Sequence, residues 1–286
     1  MNFIILNKAD NSDVMTKTVP TTESSYSPVG AIAGSILGSQ VDKISVGYIN
    51  VSAPLAGGLA GYANNSKITD IQMMESSNVG SKIIVTNDIV LKENAKNSKM
   101  GTYKTVLGGL VGASYYNSFK DISIYPETIQ CDAFVDSSAL GGIAGLFVYA
   151  PENDTSSAKI ENITLASPTD GENVHIEGGT TMGGLVGETI RESASAPLLI
   201  KDAVVKKLLM KESKVSLGNG VANGKMRGIY MGGLVGNGGL CYGGVLKITN
   251  SRSQDFTISE NVPSNGAYQY FIGGILHLYL VFEGHT

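Results

Sequence analysis

The chain has 286 residues, 42% of them apolar and only 16% charged, with a net charge of −4. So apolar and charge-poor a composition excludes a disordered chain, and without a basic stripe there is no footprint for nucleic acid. Its longest apolar run, 139–150, is twelve residues broken by three glycines, short of the roughly 18 that a membrane-spanning helix needs.

Residues 1–28 are polar and read as an N-terminal segment or cap. From 29 to 286 one glycine phrase keeps returning. It is GGLAG at Gly57, Gly58, Leu59 and Gly61, and GGLVG at Gly108, Gly109, Leu110 and Gly112. It is GGIAG at Gly141, Gly142, Ile143 and Gly145, then GGLVG again at Gly183, Gly184, Leu185 and Gly187 and at Gly232, Gly233, Leu234 and Gly236. Degenerate copies stand at Gly30–Gly34 and at Gly273, Gly274, Ile275 and Leu276. The first glycines are 27, 51, 33, 42, 49 and 41 residues apart. A period of roughly 20–50 residues is the mark of a solenoid or array. Glycine, 36 residues of 286, is nearly double its average usage of about 7%.

Behind each phrase comes a second element, aliphatic or aromatic, polar, then Asp or Asn. It contains Asp70, Asp121, Asn162, Asp202 and Asn250, and short alternating runs such as Ile122–Tyr125 continue it. Looser strand signals follow at 83–91, 174–176, 214–217 and 256–258. Alternation over such short runs predicts strands with one face buried. Each unit is thus expected to supply about three strands, and the chain to form an all-β parallel β-helix or β-solenoid of six to seven irregular coils. Paired glycines serve sharp bends and close backbone approach. Leu59, Leu110, Ile143, Leu185, Leu234 and Ile275 are expected to stack as an inward ladder, with Ala60, Val111, Ala144, Val186 and Val235 pointing the other way. The polar insertions 92–103 and 218–227 read as outward loops. Val204 and Val205, with their place in the repeat, favour strand over helix at 201–213.

GGLVG followed by Ile-x-Asn/Asp resembles the GLUG repeat of bacterial surface and secreted proteins, adhesin-like proteins and segments of IgA-protease-type metallopeptidases among them. The resemblance covers about 29–286. It implies an extracellular or cell-surface β-solenoid, part of a larger polypeptide, serving as a spacer or as a binding surface for a host glycan or surface protein. The metallopeptidase motif His-Glu-x-x-His is missing, and His175, His277 and His285 are scattered.

The Asp/Asn row allows two readings. Oxygen donors suit calcium, and the same residues serve turns and strand ends; turn chemistry has the better fit, since there is one such group per coil. For carbohydrate, the chain has no Trp, leaving Tyr115, Tyr116, Tyr149 and Tyr230 as the ligand-facing aromatics. A glycan-processing β-helix would instead show converging carboxylates. The segment 232–244 lacks the Lys-Ser/Thr of a phosphate loop, and neither Cys131 nor Cys241 has metal-type spacing. No catalytic residue, metal site or cofactor site is assigned. The run 275–282 reads as a strand opening another coil, so residues beyond 286, or a fold-back of that strand, are expected to cap the stack.

Overall fold

The computed structural model describes residues 16–17, 28–74, 80–85, 105–131, 138–149, 158–191, 197–211, 221–222, 225–238, 246–259 and 268–274. Among them there is no helix. One coil runs through Asn50–Ser52, Leu55–Gly57, Ala60–Asn64 and Lys67–Met73 before the next begins at Lys82–Val85. The four strand positions stack into sheets I to IV, which hold seven, eight, six and seven strands among the described residues. Successive coils pair in parallel, as at Leu107 with Ala56 and Leu140; the exception is the short Val221–Ala222, antiparallel to Lys225–Gly232. The chain is a parallel β-solenoid.

Sheet II aligns the seven copies of the phrase. Gly30, Gly57, Gly108, Gly141, Gly183, Gly232 and Gly273 are consecutive register partners, so both degenerate copies belong to the stack. At the parallel-strand spacing of about 4.8 Å, seven coils span roughly 30 Å.

Each complete coil among the described residues has four strand positions where three strands were expected. The one missing from the sequence reading leads into the phrase: Leu55–Gly57, Thr105–Gly108, Ser138–Gly141 and Thr181–Gly183. Alternation could not reveal it, because both of its faces are buried. The phrase itself is an arch between sheets II and III, and it lies inside the molecule: every residue from Thr105 to Ser114 is buried. Three close approaches require its glycines. A Cβ on Gly57, Gly108, Gly141, Gly183 or Gly232 would fall 1.8–2.1 Å from the carbonyl oxygen three residues on. On Gly58, Gly109, Gly142, Gly184 or Gly233 it would fall 2.0–2.3 Å from a carbonyl oxygen of the next coil's phrase. On Gly112, Gly145, Gly187 and Gly236 it would strike Ala56, Leu107, Leu140 and Met182 of sheet II, one coil earlier. None of these glycines has a positive φ, so close packing, not backbone freedom, is what they provide. Hydrogen bonds weld the tips coil to coil, for example Leu59 N–H to Leu110 C=O at 2.8 Å and Ile143 N–H to Leu185 C=O at 2.7 Å.

Leu59, Leu110, Ile143, Leu185 and Leu234 are fully buried, as the inward ladder requires; Ile275 lies outside the described residues. Ala60, Val111, Ala144, Val186 and Val235 are also buried in the same core, contrary to the expected alternation. An arch turns between the two positions, so a leucine and its successor can face one core. The strand at 198–206 replaces any helix there, and its coil takes Leu208–Lys211 into sheet I; 214–217, the expected strand, lies outside the described residues. So do Cys241, the insertion 92–103 and the run 275–282. Of residues 1–27, Thr16–Lys17 is described, pairing with Val51 and Ser52 at the edge of sheet I.

Candidate functional site

The Asp/Asn row lies along sheet IV. Asp70, Asp121, Asn162, Asp202 and Asn250 have φ of 55°, 56°, 54°, 54° and 47°, and Lys43 begins the row at 56°. This left-handed conformation is tolerated by Asn and Asp better than by other non-glycine residues. It inserts one extra outward residue, so that Ile68 and Ile71, three apart, both face the core while Thr69 and Asp70 face out. Asn162 Nδ2 donates to Asp121 Oδ1 at 2.7 Å, and Asn250 Nδ2 donates to Asp202 Oδ1 at 2.5 Å. Lys120 and Lys201 flank Asp121 and Asp202 at 3.7 and 3.5 Å. Backbone conformation accounts for the residue type, and amide–carboxylate pairs occupy one oxygen each of Asp121 and Asp202. No group of three or more His, Cys, Asp or Glu among the described residues is placed to hold a metal ion.

Beside each of these bends runs an outward row on the same sheet, Thr69, Lys120, Glu161, Lys201 and Thr249, in register from coil to coil. Together the two rows make a long polar face.

The four tyrosines do not form one surface. Tyr149 is 2% exposed, in the core against Phe147 at a ring separation of 6.4 Å, so it cannot face a ligand. Tyr115 and Tyr116 are half-buried and join Tyr62, with ring separations of 5.6 Å (Tyr62–Tyr115) and 6.0 Å (Tyr115–Tyr116). Burial pushes the Tyr62 phenol above its usual pKa, partly offset by its hydrogen bond to Asn64. Tyr116 has φ 55°, unusual for a bulky residue. Tyr230 lies elsewhere, stacked on Phe271 at 4.9 Å and 9°.

No sequence signal pointed to Asn117. Buried at the corner between sheets III and IV, its Nδ2 donates to Ala63 C=O at 2.9 Å and Ser114 Oγ at 2.8 Å, and its Oδ1 accepts from Ser66 N–H at 2.7 Å.

Sheets II and III touch at the glycines and diverge beyond them, forming a wedge filled by a second apolar cluster of Leu55, Tyr62, Val106, Ala113, Leu146 and Val148. On the sheet II side the register runs Leu55, Val106, Ala139, Thr181, Tyr230, Phe271. On the sheet III side it runs Ser35, Tyr62, Ala113, Leu146, Glu188, Asn237. After the exposed Ser35 of the first coil the wedge is filled by apolar side chains, and it turns polar in the later coils. Glu188 follows Leu146 in register, and its Oε2 is buried with no hydrogen-bond partner. Burial pushes its carboxyl up to a pKa of about 7. No sequence signal marked it, because position 188 shows its environment only once the register is known.

A separate surface pocket of about 160 Å³, lined by residues including Thr169, Glu172, Lys207 and Asp255, opens beside sheet IV. Among the described residues no helix is long and apolar enough to cross a membrane. Comparison with protein families, with curated proteins and with solved structures finds no match.

Proposed function

We propose that this chain is a non-enzymatic, extracellular β-solenoid, serving as a spacer or adhesive module of a bacterial surface or secreted protein. The observation that carries this reading is the in-register stack of seven glycine phrases, six of them followed through the arch among the described residues. Centrally hydrogen-bonded coils make a rod whose length is set by coil number, and such a rod suits reach and presentation. The polar face of sheet IV, with Lys, Thr, Asp and Asn repeating at each coil, supplies a regular surface of the kind that extended ligands meet in solenoids. The resemblance to GLUG repeats supports the bacterial and extracellular setting. A glycan array and a panel of cell-surface proteins, followed by hydrolysis assays on every bound glycan, test it. Binding without turnover is the expected result for an adhesive module, and a rigid rod without binding is that for a spacer. Turnover of any polysaccharide overturns both.

The second reading, a glycan-processing β-helix, is favoured by one observation. Glu188 stands in the wedge with its Oε2 buried and unpartnered, and burial pushes its carboxyl up to about 7, which suits a general acid. Such an enzyme would lose hydrolysis on Glu188→Gln.

A further inference from the structure

We propose that the polar end of the wedge between sheets II and III, built from Thr181, Glu188, Tyr230 and Asn237, is a saccharide-binding site. The proposal rests on the adhesive reading and gives it a place and a ligand class.

Position 188 belongs to a column whose earlier members are Ser35, Tyr62, Ala113 and Leu146. The last three pack in the apolar cluster that fills the wedge. Glu188 puts a carboxyl into the same slot and leaves Oε2 buried without a hydrogen-bond partner. An unsatisfied buried polar atom is unfavourable and rare in folded proteins, so the slot is built for a group that arrives from outside.

The surroundings indicate which group. Gly187 abuts Leu140 and Gly236 abuts Met182, so each strand of sheet III lies on the preceding coil of sheet II. That offset sets Glu188 opposite Ala139, and Asn237 opposite Thr181. Asn237 is also the register partner of Glu188, and Tyr230 that of Thr181. A carboxyl, an amide and a hydroxyl therefore occupy neighbouring positions in the wedge. Each can accept a hydrogen bond, and the amide and hydroxyl also donate. A sugar hydroxyl, which both donates and accepts, matches that set. The parallel Tyr230–Phe271 pair continues the same column and offers an apolar plate for a pyranose face. Glu188 and Tyr230 are each partly exposed, which leaves the slot an approach from solvent.

The test uses the full chain on an array of neutral and acidic glycans, with affinities for bound glycans measured by calorimetry. Glu188→Leu repeats the residue already present at 146 and serves as the fold-preserving variant; its denaturation midpoint confirms folding. Glu188→Leu and Asn237→Ala are each expected to weaken binding at least tenfold, whereas Lys82→Ala, in sheet I, leaves it unchanged. Binding that survives both wedge variants overturns the site while leaving the adhesive reading intact. A folded chain that binds no glycan on the array overturns the site and leaves the spacer reading. Hydrolysis of a bound glycan removes the adhesive reading itself.

Discussion

Asn162 and Asp121 stand one coil apart, both with left-handed backbone, and the amide of the first donates to the carboxylate of the second at 2.7 Å. Each keeps the conformation its strand needs, and at this step, unlike the Asp70–Asp121 step before it, an amide instead of a second carboxylate faces Asp121. Asn162→Asp retains the tolerance for positive φ but sets like charges across the coil step. A loss of about 0.5 kcal/mol is expected, shrinking as salt is raised. Urea denaturation at low and high ionic strength measures it; a loss independent of salt would point to geometry instead of charge.

Lys43 occupies the same row at φ 56° without a side chain suited to it. Lys43→Asn should therefore stabilise the chain by about 0.5–1 kcal/mol, a fraction of the left-handed penalty for an ordinary residue. A raised denaturation midpoint with an unchanged slope is the expected signature. A lowered midpoint would show that the Lys43 side chain matters more than its backbone.

Gly109 lies at the centre of the stacked arches, where an added Cβ would stand 2.1 Å from the carbonyl oxygen of Gly142. Backbone on both sides must move, so Gly109→Ala is expected to cost at least about 3 kcal/mol, at the upper end of overpacking effects. Gly38 provides the contrast. Its own φ is 54° and nothing lies within 4 Å of an added Cβ, so Gly38→Asn should cost only a few tenths of a kcal/mol, since Asn accepts that conformation. Thermal melts of the two variants separate close approach from backbone freedom as the reason for glycine.

These two glycines show what was legible in the chain. Repetition of the phrase gave the coil architecture and the inward leucines, because seven units reuse one solution to the same packing problem. It could not give the arch, since Gly-Gly-Leu reads alike whether it bends at an outer corner or in the middle of the core. The lead-in strands were hidden for a related reason: Val106 and Leu107 face two different apolar clusters, and alternation vanishes when both faces are buried. The Asp/Asn row was readable as turn chemistry, because its cause is local backbone conformation. Tyr149 was misplaced among ligand-facing residues, because an aromatic next to the phrase can enter the core or leave it depending on the phase of one strand. Glu188 was invisible, because its peculiarity is to stand in register with Leu146 and Ala113, far away in sequence.

Asn117 is a second residue of that hidden kind, holding Ser66, Ala63 and Ser114 together from a buried position. Asn117→Ala leaves the Ser66 N–H and the Ala63 C=O without this partner, and a loss of about 2–3 kcal/mol is expected. Asn117→Asp keeps the acceptor but abolishes both donated bonds and introduces a buried charge. It should be at least as damaging at neutral pH and recover in part under acid conditions. Amide hydrogen exchange at Ser66 reads the local effect: fast exchange in the alanine variant is expected, and unchanged protection would remove Asn117 from its structural role.

Glu188 sets the pH dependence of the later coils. Burial raises its carboxyl from 4.5 to about 7, so between these values the folded chain binds a proton that the unfolded chain has released. Stability contributed at this position is therefore highest below pH 4.5, falls as pH rises to about 7, and stays low above it. The separation of the two values corresponds to about 3 kcal/mol. The measurement is a difference that isolates this one group: denaturation of the wild-type chain and of Glu188→Gln from pH 4 to 8. The wild type should lose stability relative to the variant across that interval, and Glu188→Leu, which extends the apolar column of Ala113 and Leu146, should exceed the wild type most at pH 8. A difference curve that is flat with pH would mean that Glu188 ionises freely in the folded chain, and that the wedge is open to water at its polar end.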